Sequence, residues 1–180
     1  MVRYGFPRPD AEGYFAGFER AIDVLAKTRG SDRARAATLG DALATVLGIW
    51  LLSLQNTSTP WAGQRLNAFY ARVLHALDEY GGDFAVYLTE LDFALESETP
   101  TGWYDACFTR SVVEVLLREA GLSPAALVAS DWVEATDEEM REAAGNATPL
   151  PAEVIPRNMP GEHWWWFAAY GTPNAVDCEY

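Results

Sequence analysis

The chain has 180 residues, with 26 acidic against 13 basic side chains and a formal net charge of −13. This excess of carboxylates argues against binding to nucleic acid or to an anionic membrane, because both surfaces attract clusters of Lys and Arg. The length is typical of one domain, and 49% apolar residues are enough to build a core, which excludes an intrinsically disordered chain.

The charge is divided unevenly along the chain. Residues 1–77 carry six acids and nine bases, whereas residues 78–180 carry twenty acids and four bases. The first part therefore has a formal charge of +3 and the second a formal charge of −16. A surface that attracts a basic partner is expected in the second part.

Apolar residues recur at helical spacing through residues 1–145 and predict a bundle of five to seven helices. The first helix is predicted from Asp10 to Arg29, and the second begins after Ser31 as its N-cap. Toward its end the second helix is apolar nearly all round, which is typical of a central helix. Its longest apolar run, Val46–Leu54, is too short to cross a membrane.

Local capping and turn residues predict the boundaries of the next helices. The predicted starts of helices three, four and five are Thr59-Pro60, Asp83 and Thr101, and the predicted stops of helices three and four are Gly81-Gly82 and Thr99-Pro100.

The sixth helix is predicted to begin at Ser123-Pro124. A kink or break is expected around Ser130-Asp131. Thr136 with Glu139 forms a capping box, which is typical of the start of a new helix. The pattern therefore leaves open whether one helix or two continue to Gly145.

The C-terminal segment, residues 146–180, has five prolines and an aromatic block at 163–167. Proline at this density disfavours a helix, so we predict an extended segment of the same domain, packed on the bundle, which could include a short strand at 163–170. In such a segment Trp165 faces opposite to Trp164 and Trp166. A structural clasp is the first interpretation of these residues, ahead of a partner interface and a ligand platform.

No motif in the sequence identifies a reaction. Phosphate-binding glycine loops, the dinucleotide fingerprint, the zinc-protease motif and the serine-hydrolase elbow are all missing from the chain. His75 shares a helical side with Asp78 and Glu79, which is more typical of a surface ion pair than of a metal site. We predict no catalytic residue, metal or cofactor. The two cysteines, Cys107 and Cys178, fit a reducing, cytoplasmic compartment.

Two acidic stretches are the strongest functional signal in the chain. Glu134, Glu138 and Glu142 are four residues apart, so they stack along one side of a helix. Trp132 lies among them as a candidate anchor. The predicted partner-binding residues are Glu90, Asp92, Glu96 and Glu98 in one stretch, and Asp131, Trp132, Glu134, Asp137, Glu138, Glu139 and Glu142 in the other. A solvated face that keeps the protein soluble is the alternative.

These features predict a small, acidic, cytoplasmic binding protein. In general character the chain resembles bacterial immunity proteins and antitoxins, which inhibit basic nuclease-type toxins. The resemblance implies that an acidic face docks onto a basic protein and blocks its active cleft. The alternatives are a helical-bundle enzyme that uses carboxylates or a metal, and a structural or adaptor subunit. The sequence leaves the oligomeric state open.

Overall fold

In a computed structural model the chain folds as a bundle of helices, which confirms the mainly α-helical prediction. The structure describes residues 10–55, 63–96, 99–120, 124–145 and 149–168, apart from the side chains at 120, 124–128, 130 and 131. The elements in this part of the chain are α1 Ala11–Lys27, α2 Asp32–Gln55, α3 Gln64–Glu79, α4 Gly81–Glu96, α5 Pro100–Ala120, α6 Pro124–Ala144 and a 3-10 turn, Trp164–Trp166.

The centre of the bundle is formed by α2, which packs against α1, α4 and α5. Toward its end, over residues 46–51, its buried residues lie on all sides of the helix, as its apolar sequence predicts. The contact with α1 is especially close at Gly48, where a Cβ atom would overlap the ring of Tyr14. Glycine is therefore required at this position by the approach of the two helices.

The length and composition of α2 would also allow it to cross a membrane, although half of its most apolar stretch is buried inside the protein. The sequence analysis excluded a membrane span because the apolar run Val46–Leu54 is short. The complete helix α2 is long enough to span a membrane, so its length does not support that exclusion. A single helix of this kind is weak evidence for a span, because the core helix of a bundle has the same composition.

Arg35 ties three helices together near one end of the bundle. Its guanidinium binds both carboxylate oxygens of Asp83 at 2.9 and 2.7 Å, which joins α2 to α4. It also donates to the main-chain oxygen of Thr28 at 2.8 Å, just beyond the last turn of α1. Because two charge-assisted hydrogen bonds share one planar group, the relative orientation of these helices is well defined.

Several predicted helix boundaries are wrong by a few residues. Thr99, rather than Thr101, caps α5, since its hydroxyl accepts a hydrogen bond from the Gly102 amide at 3.1 Å. Gly81 and Gly82 lie in the first turn of α4 instead of forming a stop between two helices. Both helices therefore begin earlier than predicted, α4 at Gly81 instead of Asp83 and α5 at Pro100 after the cap Thr99.

The start of α3 also differs from the prediction. The helix begins at Gln64, after Gly63, whose φ of 104° lies in the left-handed region that favours glycine. The predicted start at Thr59-Pro60 lies outside the described residues.

The sixth helix is continuous from Pro124 to Ala144. Thr136 lies in its middle and is buried together with Met140, so it does not cap a new helix. The prediction of a new helix start from the capping box is wrong because the Thr136 side chain faces the core of the bundle. Tertiary packing therefore overrides the local signal for a break.

The described part of the C-terminal segment, residues 149–168, consists of turns and the 3-10 turn and contains no strand. The expectation that Trp165 would face away from its neighbours is wrong. Trp165 and Trp166 are both buried, and Trp164 is half-buried. A 3-10 turn rotates successive side chains by about 120°, so two neighbours can face the bundle together.

Candidate functional site

The acidic side of α6 lies opposite the side that it buries. Thr136 and Met140 are buried in the core, and Glu134, Glu138 and Glu142 are displaced from this row by two residues, which is about 200° around a helix. These three glutamates and Glu139 are exposed. None of the four forms an ion pair with another described residue.

Asp137 has a different role from its glutamate neighbours. It accepts two hydrogen bonds from the guanidinium of Arg110 at 2.6 and 3.2 Å, and Glu114 accepts a third at 2.9 Å. The Arg110 side chain is only 4% exposed. Burial lowers the pKa of Arg110, but the two carboxylates outweigh this effect and raise it overall. Asp137 therefore holds α6 onto α5 and is not available to a partner.

The aromatic residue within this acidic stretch, Trp132, is partly buried against the core. Its indole nitrogen is shielded from water and has no hydrogen-bond partner in the described part of the chain. The nearby base Arg141 is exposed, and its guanidinium lies 5.5 Å from the ring centre of Trp164. Arg141 thus contacts the C-terminal segment and forms no described ion pair with the glutamates. The Asp131 side chain is not among the described side chains.

The second predicted stretch is more heterogeneous. Glu90 binds Arg33 of α2 at 2.9 Å, so its charge is already matched. Asp92 is half-buried, and desolvation together with the charge of Glu96 raises its pKa. Glu96 is exposed, and Glu98 lies outside the described residues. Although α4 and α6 are in contact, most of the exposed carboxylates of these two stretches that have no ion pair within the described part of the chain lie on α6.

A buried polar cluster that the sequence did not reveal joins α5 to the C-terminal segment. The Ser111 hydroxyl lies 2.9 Å from the indole nitrogen of Trp165, 2.8 Å from that of Trp166 and 3.0 Å from Nδ1 of His163. Two indole N–H groups occupy both acceptor positions of the hydroxyl, so its single proton is donated to Nδ1. His163 is consequently neutral and carries its own proton on Nε2.

Other contacts strengthen the same attachment. The ring of His163 packs against that of Trp50, with 5.0 Å between their centres. The Cys107 thiol donates to the main-chain oxygen of Trp165 at 3.2 Å, and the Arg110 guanidinium lies 4.4 Å from the centre of the Trp165 ring. The structure therefore supports the interpretation of the tryptophan block as a clasp.

The Ser111–His163 pair superficially resembles a nucleophile with its general base. Both residues are completely buried, and the serine oxygen already accepts two hydrogen bonds, so it is neither accessible nor available for attack. Burial lowers the pKa of His163 to about 4, which matches a neutral structural histidine. Burial also raises the pKa of the Cys107 thiol, opposite to what a nucleophilic cysteine needs.

The described residues contain no group of three or more His, Cys, Asp or Glu side chains with the spacing of a metal site. His75 is exposed on α3. No protein-family model matches the chain, and comparison with curated proteins and with solved structures also gives no match.

Proposed function

We propose that this protein is an inhibitory binding protein of the immunity or antitoxin type, and that it acts in a reducing, cytoplasmic compartment. The exposed side of α6 docks onto a basic protein and covers its active cleft. The observation that carries the proposal is a row of exposed glutamates, Glu134, Glu138 and Glu142, with Glu139 beside it, none of which forms an ion pair with another described residue. A face that only kept the protein soluble would not require four exposed glutamates on one helix.

The electrostatics of the row suit a partner with a positively charged cleft. Like charges four residues apart weaken a helix by a few tenths of a kcal/mol per pair, so the row has a small cost for folding. The same charges raise the association rate with a basic partner by about 10- to 1000-fold at low ionic strength. A partner that acts on nucleic acid presents such a cleft, because it binds phosphates.

The packing of α6 supplies the rigidity that a docking face needs. Arg110 fixes the helix through both oxygens of Asp137, and Met140 anchors it in the core. An ordered face loses little conformational entropy when it binds, which favours affinity. Trp132, four residues before Thr136, lies on the same side of α6 as Thr136 and packs against the core, so the proposed docking face consists of the glutamates.

The test begins with capture of the partner from the native host by tagged protein and its identification by mass spectrometry. Association is then measured at several salt concentrations for the wild type and for the triple variant Glu134→Gln, Glu138→Gln and Glu142→Gln. We expect a basic partner and an association rate at least about tenfold lower in the triple variant at low salt, with a weaker salt dependence.

A matched control removes three exposed carboxylates elsewhere, with Asp23→Asn, Asp78→Asn and Glu153→Gln. This variant has the same net charge as the triple variant but keeps the α6 row. The proposal requires it to associate nearly as fast as the wild type. Equal loss in both variants, or wild-type association in the α6 variant, would show that the row does not form the docking face.

A further inference from the structure

A second surface feature, independent of the acidic side of α6, is an open cleft of about 650 Å³ between α2, α4 and α5. This volume lies within the range of roughly 300–1000 Å³ typical of sites for small molecules. Aromatic side chains from two helices line it, including Tyr104 and Phe108 of α5 and Phe93 of α4, which is 60% exposed. Together these rings give the cleft an aromatic wall that a ligand with an apolar body can contact.

The charges in the cleft are unbalanced. Asp41 stands on the α2 wall and Asp105 on the α5 wall, and neither forms an ion pair or a hydrogen bond with another described residue. Arg33 and Glu90, which also line the cleft, neutralise each other at 2.9 Å. The described lining residues therefore have a formal charge of −2, and both aspartates remain accessible to solvent and to a ligand.

A third observation concerns a buried residue of the lining. Tyr87 lines the cleft, is only 8% exposed and packs its ring against Gly40. Its hydroxyl oxygen is buried and has no partner with normal hydrogen-bond geometry among the described residues. Burial raises the pKa of this hydroxyl, although the nearby Thr109 side chain reduces the rise. A buried polar atom without a partner is a candidate contact for a ligand.

We propose that the cleft binds a small organic cation, an ammonium group on an apolar or aromatic body. The ammonium group lies between the carboxylates of Asp41 and Asp105, and its apolar body packs on the aromatic side chains of the wall. Aromatic faces also attract such a cation directly.

Partial burial supports this choice of ligand, because it raises the pKa of both Asp41 and Asp105 through desolvation. A carboxylate that is costly to keep charged gains more from a cation than a fully hydrated carboxylate does. An anionic ligand would meet repulsion from the same two groups, and a neutral ligand would leave them unmatched.

The experiment compares two probes that differ in charge but share a phenylethyl body, 2-phenylethylamine and 2-phenylethanol. Each is titrated into the full, isotope-labelled chain at neutral pH, and binding is followed by amide chemical shifts. We expect saturable shifts at the cleft residues with the amine, with a dissociation constant of about 1 mM or tighter, and at least about tenfold weaker binding of the alcohol.

Two cleft variants and one control locate the site. The double variant Asp41→Asn with Asp105→Asn removes the charges and is expected to weaken amine binding at least tenfold. Ala37→Trp fills the cleft from an exposed lining position and is expected to abolish binding. The control, Glu138→Gln with Glu142→Gln, removes the same number of charges from α6 and is expected to retain wild-type affinity within twofold.

Each outcome decides the proposal. It is overturned if the amine produces no saturable shifts up to 10 times the expected constant, if both probes bind equally, or if the shifts map to α6. Wild-type affinity in either cleft variant would also overturn it. Amine binding that is lost only in the cleft variants supports it, whatever the result of the partner experiment on α6.

Discussion

Replacement of Ser111 by alanine tests whether the clasp stabilises the whole fold. The serine hydroxyl accepts hydrogen bonds from Trp165 and Trp166 and lies 3.0 Å from His163, all in a fully buried setting. Alanine removes this common partner and leaves two indole N–H groups without an acceptor. Because a buried unsatisfied donor costs about 1–3 kcal/mol, the sum is about 2–6 kcal/mol. Because relaxation of the neighbouring side chains reduces this cost, we expect the free energy of unfolding to fall by about 3 kcal/mol.

The loss is measured by urea unfolding, with far-UV circular dichroism and tryptophan fluorescence as separate probes. For a chain of this length each kcal/mol lowers the midpoint temperature by roughly 2–4 °C, so thermal unfolding should shift down by about 6–12 °C. The urea midpoint should fall without a large change in slope if the variant still unfolds in one step.

Ser53→Ala is the matched control, since the Ser53 hydroxyl donates to the main-chain oxygen of Trp50 within its own helix at 2.6 Å. Alanine there is expected to change stability by less than about 0.5 kcal/mol, because such bonds within a helix add little. The assignment of the clasp is refuted if Ser111→Ala is as stable as Ser53→Ala, or if the two probes show that only the C-terminal segment detaches at no cost to the bundle.

Three further substitutions test other contacts. Gly48→Ala should lower the free energy of unfolding, measured in urea, by about 1–3 kcal/mol, because the added methyl group overlaps an aromatic ring of α1. Wild-type stability in this variant would contradict the close contact between α1 and α2. Asp137→Asn should destabilise by about 3–5 kcal/mol, since it leaves a buried guanidinium poorly paired, whereas the exposed neighbour Glu138→Gln should change stability by less than about 0.5 kcal/mol. Because burial lowers the pKa of His163 to about 4, the unfolded chain binds more protons than the folded chain between about pH 4 and 6.5. The contribution of His163 is therefore complete above pH 6.5 and is lost toward pH 4, so His163→Gln should flatten the pH dependence of the unfolding free energy, measured by urea unfolding across this window.

The helices themselves were largely predictable, because helical periodicity is a local property of the chain. The apolar circumference of α2 predicted its central position, and the four-residue spacing of Glu134, Glu138 and Glu142 predicted that they share one side of a helix. Errors occurred at the boundaries and within α6. There a capping motif at Thr136 was indistinguishable in sequence from one that starts a helix, and only burial against the core selected the continuous helix.

The division of α6 carboxylates into exposed and structural groups could not be predicted. Asp137 and Glu138 are neighbours with the same charge, yet Asp137 binds Arg110, which lies 27 residues away in sequence. Helical spacing places Asp137 near the boundary of the buried side, but it does not say which base of another helix will be opposite. That pairing depends on the distance and angle between α5 and α6.

The sequence by itself determined the mainly helical fold, the central apolar helix and the location of the excess negative charge, because each of these depends on composition or on contacts within about one helical turn. Only the tertiary structure decided that Ser111 is the common partner of side chains 52 to 55 residues away. It alone decided that Asp41 and Asp105 line one cleft. Such contacts join polar groups of different helices, and their partners are selected by the packing of the whole core.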